Sequence, residues 1–113
     1  MTCLFCNMVN GTILVKKIHE DEWLIAFEDI NPQAPTHLLI IPKMHIESLN
    51  AIEADQVEIL SKLLITAKDL AKRLGLNESG YRLVINTNQD GGQTVFHLHI
   101  HLLGGRHLTW PPG

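Results

Sequence analysis

The sequence predicts an α+β fold: an antiparallel sheet with one long helix on a face. Three observations carry this. Short β-rich segments come first, one long helical pattern follows, and β-rich segments return, an order that favours an antiparallel sheet covered by a helix. The helical pattern spans roughly residues 51–74, with Val57, Leu60, Leu63, Leu64, Ala67, Leu70, Ala71 and Leu74 at spacings of three and four. The chain has 113 residues, 45% hydrophobic and 19% charged, which suits a single soluble domain over residues 1–113.

Each element has a local reason. Residues 14–18 form a short apolar and basic strand candidate, and Glu20-Asp21-Glu22 a polar turn. Residues 23–27 read as the returning strand of a hairpin. Two prolines in Asn31-Pro32-Gln33-Ala34-Pro35 demand a loop. Residues 36–41 form a strand whose continuous apolar end suggests burial on both faces, and Pro42 ends it. Asn50 with Glu53 three later resembles a capping box for the helix, and Gly75 is its stop. Residues 81–86 form a strand, 88–93 a glycine-bearing loop, and 95–103 the final strand. A sheet this small leaves an edge to manage, and dimerisation is one solution.

The final strand holds the most informative pattern, His97-Leu98-His99-Ile100-His101-Leu102-Leu103. On a strand, alternate side chains share a face, so three imidazoles stand on one side and three aliphatic anchors on the other. Alternate positions lie roughly 6.6 Å apart, and the outer two histidines roughly 13 Å apart. A single zinc ion bonds imidazole nitrogen at about 2.0–2.1 Å, so one metal shared by all three is geometrically poor. Divided labour suits the spacing better: one attacks, one handles protons, one holds something in place. The preceding Asp90-Gly91-Gly92-Gln93-Thr94 can present backbone and side-chain donors to an anion. By itself it is equally a hairpin turn. Joined to the histidines, it reads as a site for a phosphorus centre.

Composition narrows the class. A net charge of −3 gives no basic footprint, so nucleic acid is not an expected partner. No apolar run is long enough to span a bilayer, and the opening residues lack the pattern of a secretory leader. A cytoplasmic protein is the expectation. In that setting the only cysteines, Cys3 and Cys6, read as metal-binding or redox-active before structural disulfide.

His-x-His-x-His followed by two apolar residues resembles the signature of the histidine triad (HIT) family. The similarity extends to Phe27-Glu28-Asp29-Ile30, Pro32-Gln33-Ala34-Pro35-Thr36-His37, Ile41-Pro42-Lys43, Gly80-Tyr81-Arg82, Gly91-Gly92-Gln93, Leu103-Gly104-Gly105-Arg106 and the ending Trp110-Pro111-Pro112-Gly113, all Hint-like. The resemblance implies a HIT-like, two-fold homodimer acting as a purine nucleoside phosphoramidase without a catalytic cofactor. It places the nucleophile on His99, which would form a covalent nucleotidyl-histidine. It places phosphate contact and leaving-group assistance on His101, and a leaving-atom hydroxyl on Thr94, where serine is usual. Asn86, Gly92 and Gln93 fall on phosphate- and ribose-side positions, and Asp29 on the carboxylate that holds ribose hydroxyls. Leu4, Phe5, Met8, Ile13, Phe27 and Ile30 match apolar positions around the base, though core packing explains any one of them equally well. Trp110 resembles a tail residue that reaches the partner subunit, with tail anchoring as the alternative.

The cysteine pair departs from Hint proteins and resembles other triad proteins that bind structural zinc. There the ligands correspond to Cys3, Cys6, His45 and His97, a closed tetrahedral set. The rival is a pair of reduced thiols beside hydrogen-bonding histidines. Two functional alternatives also stand: a dinucleoside polyphosphate hydrolase, and a non-enzymatic nucleotide-binding module. His19, His37 and His107 read as surface or packing residues.

Overall fold

The computed structural model describes residues 3–113; Met1 and Thr2, where the leader reading begins, lie outside the described residues. Five strands form one antiparallel sheet: β1 (Lys17–Glu20), β2 (Leu24–Glu28), β3 (Thr36–Pro42), β4 (Tyr81–Val84) and β5 (Ile100–Gly104), in spatial order β1-β2-β3-β5-β4. Two helices cover it, α1 (Leu4–Val9) and α2 (Val57–Arg73). Among the described residues, no helix is long and apolar enough to cross a membrane.

β2 and β3 are buried on both faces, which the sequence predicts for β3 from its continuous apolar end. Leu24 and Ala26 of β2, Leu38 and Ile40 of β3, and Ile100 and Leu102 of β5 face α2 and pack with Ile59, Leu63, Ala67, Leu70 and Ala71. Ile25, Phe27, Leu39 and Ile41 point the other way, onto Phe5 of α1. This second layer is absent from the sequence reading. α1 is too short to show a period; Cys3 starts it, its sulfur accepting the Cys6 N–H at 3.3 Å.

Several boundaries differ from expectation. The first strand begins at Lys17, and Leu14 is left exposed. The long helix starts at Val57, after two short 3₁₀ turns at Leu49–Ala51 and Ala54–Gln56. The capping box is Glu53 with Gln56, whose Oε1 accepts the Glu53 N–H at 2.9 Å, not Asn50 with Glu53. Val57, Leu64 and Leu74 flank the buried stripe and stay exposed, because the sheet covers only one side of α2.

The final strand shows the largest difference. Only His101 of the three histidines lies in it; His97 and His99 occupy an extended segment before Ile100. Register supplies the reason. Ile40 pairs with Ile100, so continuing the ladder two steps outward would set residue 98 against Pro42, which has no N–H to donate. The Leu98 N–H instead reaches Ile46 O at 2.6 Å. Alternation nevertheless survives: Leu98, Ile100 and Leu102 enter the α2 core, while Phe5 meets the rings of His97 and His99 edge-on.

Candidate functional site

The sheet face beneath α1 carries two groups of histidines with opposite hydrogen-bonding logic. The first gathers around His97, which is fully buried. Its Nε2 lies 2.8 Å from Pro42 O, an acceptor, so Nε2 holds the proton and Nδ1 a lone pair. That lone pair faces Cys3 Sγ at 3.3 Å, Cys6 Sγ at 3.5 Å and His45 Nδ1 at 3.2 Å. Cys6 Sγ and His45 Nδ1 are 3.3 Å apart. All four ligand atoms lie within 4.8 Å of one another. Tetrahedral zinc with bonds of about 2.3 Å to sulfur and 2.0–2.1 Å to nitrogen sets S–N edges near 3.5 Å and N–N edges near 3.4 Å. The residues therefore fit zinc in chemistry and in spacing. Burial, with Cys3 beside it, pushes the Cys6 thiol up to about 11, a crowding that a cation would relieve.

The second group is a chain of donors and acceptors. The Gln33 N–H donates to His37 Nδ1 at 3.0 Å, so His37 carries its proton on Nε2. His37 Nε2–H then donates to His101 Nδ1 at 2.9 Å, which leaves the His101 proton on Nε2. Strand register explains the contact: His101 pairs with Leu39, two residues from His37 on the same face. Asp29 Oδ2 stands 3.5 Å from His37 Nε2, while its Oδ1 accepts the Asn31 N–H at 2.8 Å. Asp29, His37 and His101 are close enough to be considered as metal ligands. With His37 Nδ1 already accepting a backbone N–H, metal at Nε2 would require an imidazolate, so this set is a hydrogen-bond relay. His37, read as a packing residue from sequence, is thus the site residue the sequence reading missed. Its diagonal position on β3 is visible only once β5 is paired with β3.

His99 lies between the two groups, its ring centroid 5.0 Å from that of His101. Its Nδ1 lies 2.7 Å from His97 O, so Nδ1–H donates and Nε2 keeps a free lone pair. Burial holds His99 below the ordinary imidazole value, so the ring is neutral near pH 7. Burial, with His99 and His37 nearby, pushes His101 down to about 4.

Both rings line a cavity of about 190 Å³ with Leu4, Phe5, Met8, Phe27, Asp29, Ile30, Leu39, Thr94 and Val95. The structure thus brings together His99, His101, Thr94, Asp29, Phe5, Phe27 and Ile30, as the sequence reading expects. Asn86, Gly92, Gln93 and Trp110 are not among the lining residues. Gly92 and Gln93, expected on the phosphate and ribose side, are engaged within the loop itself. Their N–H groups close the loop onto Gln89 O and Asn88 O. The Gln93 side chain accepts from Asn88 N–H and donates to Glu47 O and Val95 O. The glycines serve the turn: a Cβ at Gly91 would sit 2.5 Å from Thr87 O, and Gly92 has φ +82°. Trp110 is 81% exposed on a tail that the Arg82 guanidinium holds through Leu108 O and Thr109 O.

Residues 10–108 match the HIT domain family. The chain belongs to that family. A HIT family hydrolase from Legionella pneumophila superimposes with TM-score 0.97 at 56% identity, covering 99% of this chain and 100% of that one. An uncharacterized HIT-like protein of Synechococcus elongatus is 50% identical over 110 residues, 97% of this chain and 96% of that one. A 14 kDa zinc-binding protein of Zea mays is 50% identical over 112 residues, 97% of this chain and 87% of that one. The α+β architecture is therefore a HIT architecture.

Proposed function

We propose that this HIT protein is a nucleotide hydrolase that cleaves the P–N bond of purine nucleoside phosphoramidates through a covalent nucleotidyl-His99 intermediate. The observation that carries this reading is the 2.7 Å bond from His99 Nδ1 to His97 O, which aims a neutral Nε2 lone pair into the cavity. The Legionella neighbour's description as a hydrolase and the Hint-like motifs support it.

The apolar walls from Phe5, Phe27 and Ile30 receive the base, and Asp29 receives ribose hydroxyls. His99 Nε2 attacks the α-phosphorus and the P–N bond breaks, its electron pair leaving on nitrogen. The departing amine takes its proton from solvent through His101 Nε2, while the His37 Nε2–H bond to His101 Nδ1 keeps Nε2 as the ring nitrogen that exchanges. Thr94 hydrogen-bonds the leaving atom. Water then attacks phosphorus, the P–Nε2 pair returns to His99, and the water's proton returns through His101. One proton is consumed and one released, so the cycle closes.

Cys3, Cys6, His45 and His97 hold one structural zinc in this reading, supported by their spacing and by the zinc-binding Zea mays relative. Bound there, zinc supplies a closed cross-link and no open coordination position. The edge strand β4 and the exposed Leu64 and Ile65 of α2 support a two-fold homodimer.

The test is kinetic. His99→Ala should lose at least about 10³-fold in kcat on an adenosine phosphoramidate while still binding adenosine monophosphate. Retained turnover would refute nucleophilic catalysis by His99. A much higher kcat/KM for diadenosine polyphosphates would move the reading to that substrate class.

A further inference from the structure

Arg106 follows the last strand, 73 residues beyond Gln33, yet the two meet. Its Nε and Nη2 both donate to Gln33 O, at 3.2 and 2.9 Å, and its Nη1 donates to His107 O at 3.0 Å. A planar guanidinium spans both carbonyls at once. Gly105 brings it there. Its φ of +92° turns the chain back from β5, and a Cβ on it would sit 2.9 Å from Pro35 Cβ. The loop around Gln33 has few donors of its own, because Pro32 and Pro35 have no N–H. Gln33 is held instead by the Arg106 clamp on its oxygen, by its own Nε2 on Asn31 O at 3.0 Å, and by its N–H on His37 Nδ1 at 3.0 Å.

We infer that Arg106 is a positioning residue for the histidine relay: by clamping Gln33 O it holds the Gln33 N–H against His37 Nδ1, and so keeps a proton on His101 Nε2, where the departing amine takes it up. The inference rests on the hydrolase reading above. His37 is only 6% exposed, so a withdrawn Gln33 N–H leaves its Nδ1 lone pair buried without that donor. The bond that favours a proton on His37 Nε2 is then gone, and the Nδ1–H form becomes populated. In that form His37 Nε2 accepts, and the proton between the two rings belongs to His101 Nδ1. His101 Nε2 becomes a lone pair with no proton to give. Asp29 Oδ2, at 3.5 Å from His37 Nε2, pulls toward the original form but lies too far for a full hydrogen bond. Loss of the clamp therefore yields a mixture of the two forms rather than a complete switch.

The experiment compares Arg106→Met with wild type by two readouts. Nitrogen–proton correlation spectra of protein labelled on its histidine rings report which nitrogen carries each proton, with the His37 signals assigned from their absence in His37→Asn. Wild type should show His37 and His101 both protonated on Nε2, and Arg106→Met should shift both toward the Nδ1–H form. On an adenosine phosphoramidate, Arg106→Met should lower kcat about three- to tenfold with KM little changed, the scale of one hydrogen bond. Added to His37→Asn, where the relay is already cut, it should cost nothing further. Unchanged ring signals, or a loss that multiplies that of His37→Asn, overturns the inference. A rise in KM with kcat intact assigns the arginine to Asn31 and Asp29 on the ribose side, and overturns it as well. If wild type hydrolyses no phosphoramidate, the hydrolase reading falls and the spectra alone decide: shifted His37 and His101 signals support the positioning role, and unchanged ones refute it.

Discussion

Substituting His101 with glutamine should flatten the acid side of the stability profile. In the folded chain burial holds His101 near 4, against an ordinary value of 6.5. The unfolded chain therefore takes up this proton first as pH falls, and stability is lost between those two values. At pH 8 both states are neutral and the ring contributes no pH dependence. The full gap corresponds to about 3 kcal/mol, of which about 2 kcal/mol is already lost at pH 5. Glutamine does not titrate and can still accept from His37 Nε2–H. Urea unfolding of both proteins at pH 8 and pH 5 measures the effect. Wild type should lose about 2 kcal/mol more than H101Q between the two conditions. His97 and His99, also lowered by burial, are common to both proteins and cancel in the difference. Equal losses would show that His101 does not sit as a buried neutral ring, and the assignment of its Nε2 proton would fall with it.

His37→Asn should lower kcat on a phosphoramidate roughly 10–100-fold with little change in KM, because it breaks the relay without touching the base pocket; a matching rise in KM would point to simple misfolding of the site. Cys3→Ser should reduce bound zinc in metal-supplemented protein from one per chain toward background, with a lower Tm; unchanged metal content would remove Cys3 from the ligand set. Phe5→Ala should destabilise by about 3 kcal/mol and raise KM for nucleotide, since Phe5 is 3% exposed and packs against both Phe27 and His99. Thermal unfolding and steady-state kinetics read the two effects separately.

Much of the site was legible because strand alternation is a local property. Leu98, Ile100 and Leu102 enter the core opposite the histidines even where the regular strand has not yet begun. The four-ligand set was legible through resemblance, and its spacing then emerged from the fold. The glycine loop was not. Gly92 and Gln93 are donors on paper, yet turn closure and loop bracing use their hydrogen bonds.

The sequence by itself determined the helix–sheet order, the double burial of β3 and the histidine alternation, because hydrophobic period and backbone geometry act over a few residues. Only the tertiary structure decided which nitrogen of each histidine carries its proton. That choice depends on Pro42 O, His97 O, Gln33 N–H and His37, partners up to 64 residues distant in the chain. It also decided that α1 forms a second layer, since a six-residue helix has too little period to announce itself and is held by Phe5 against the far face of the sheet.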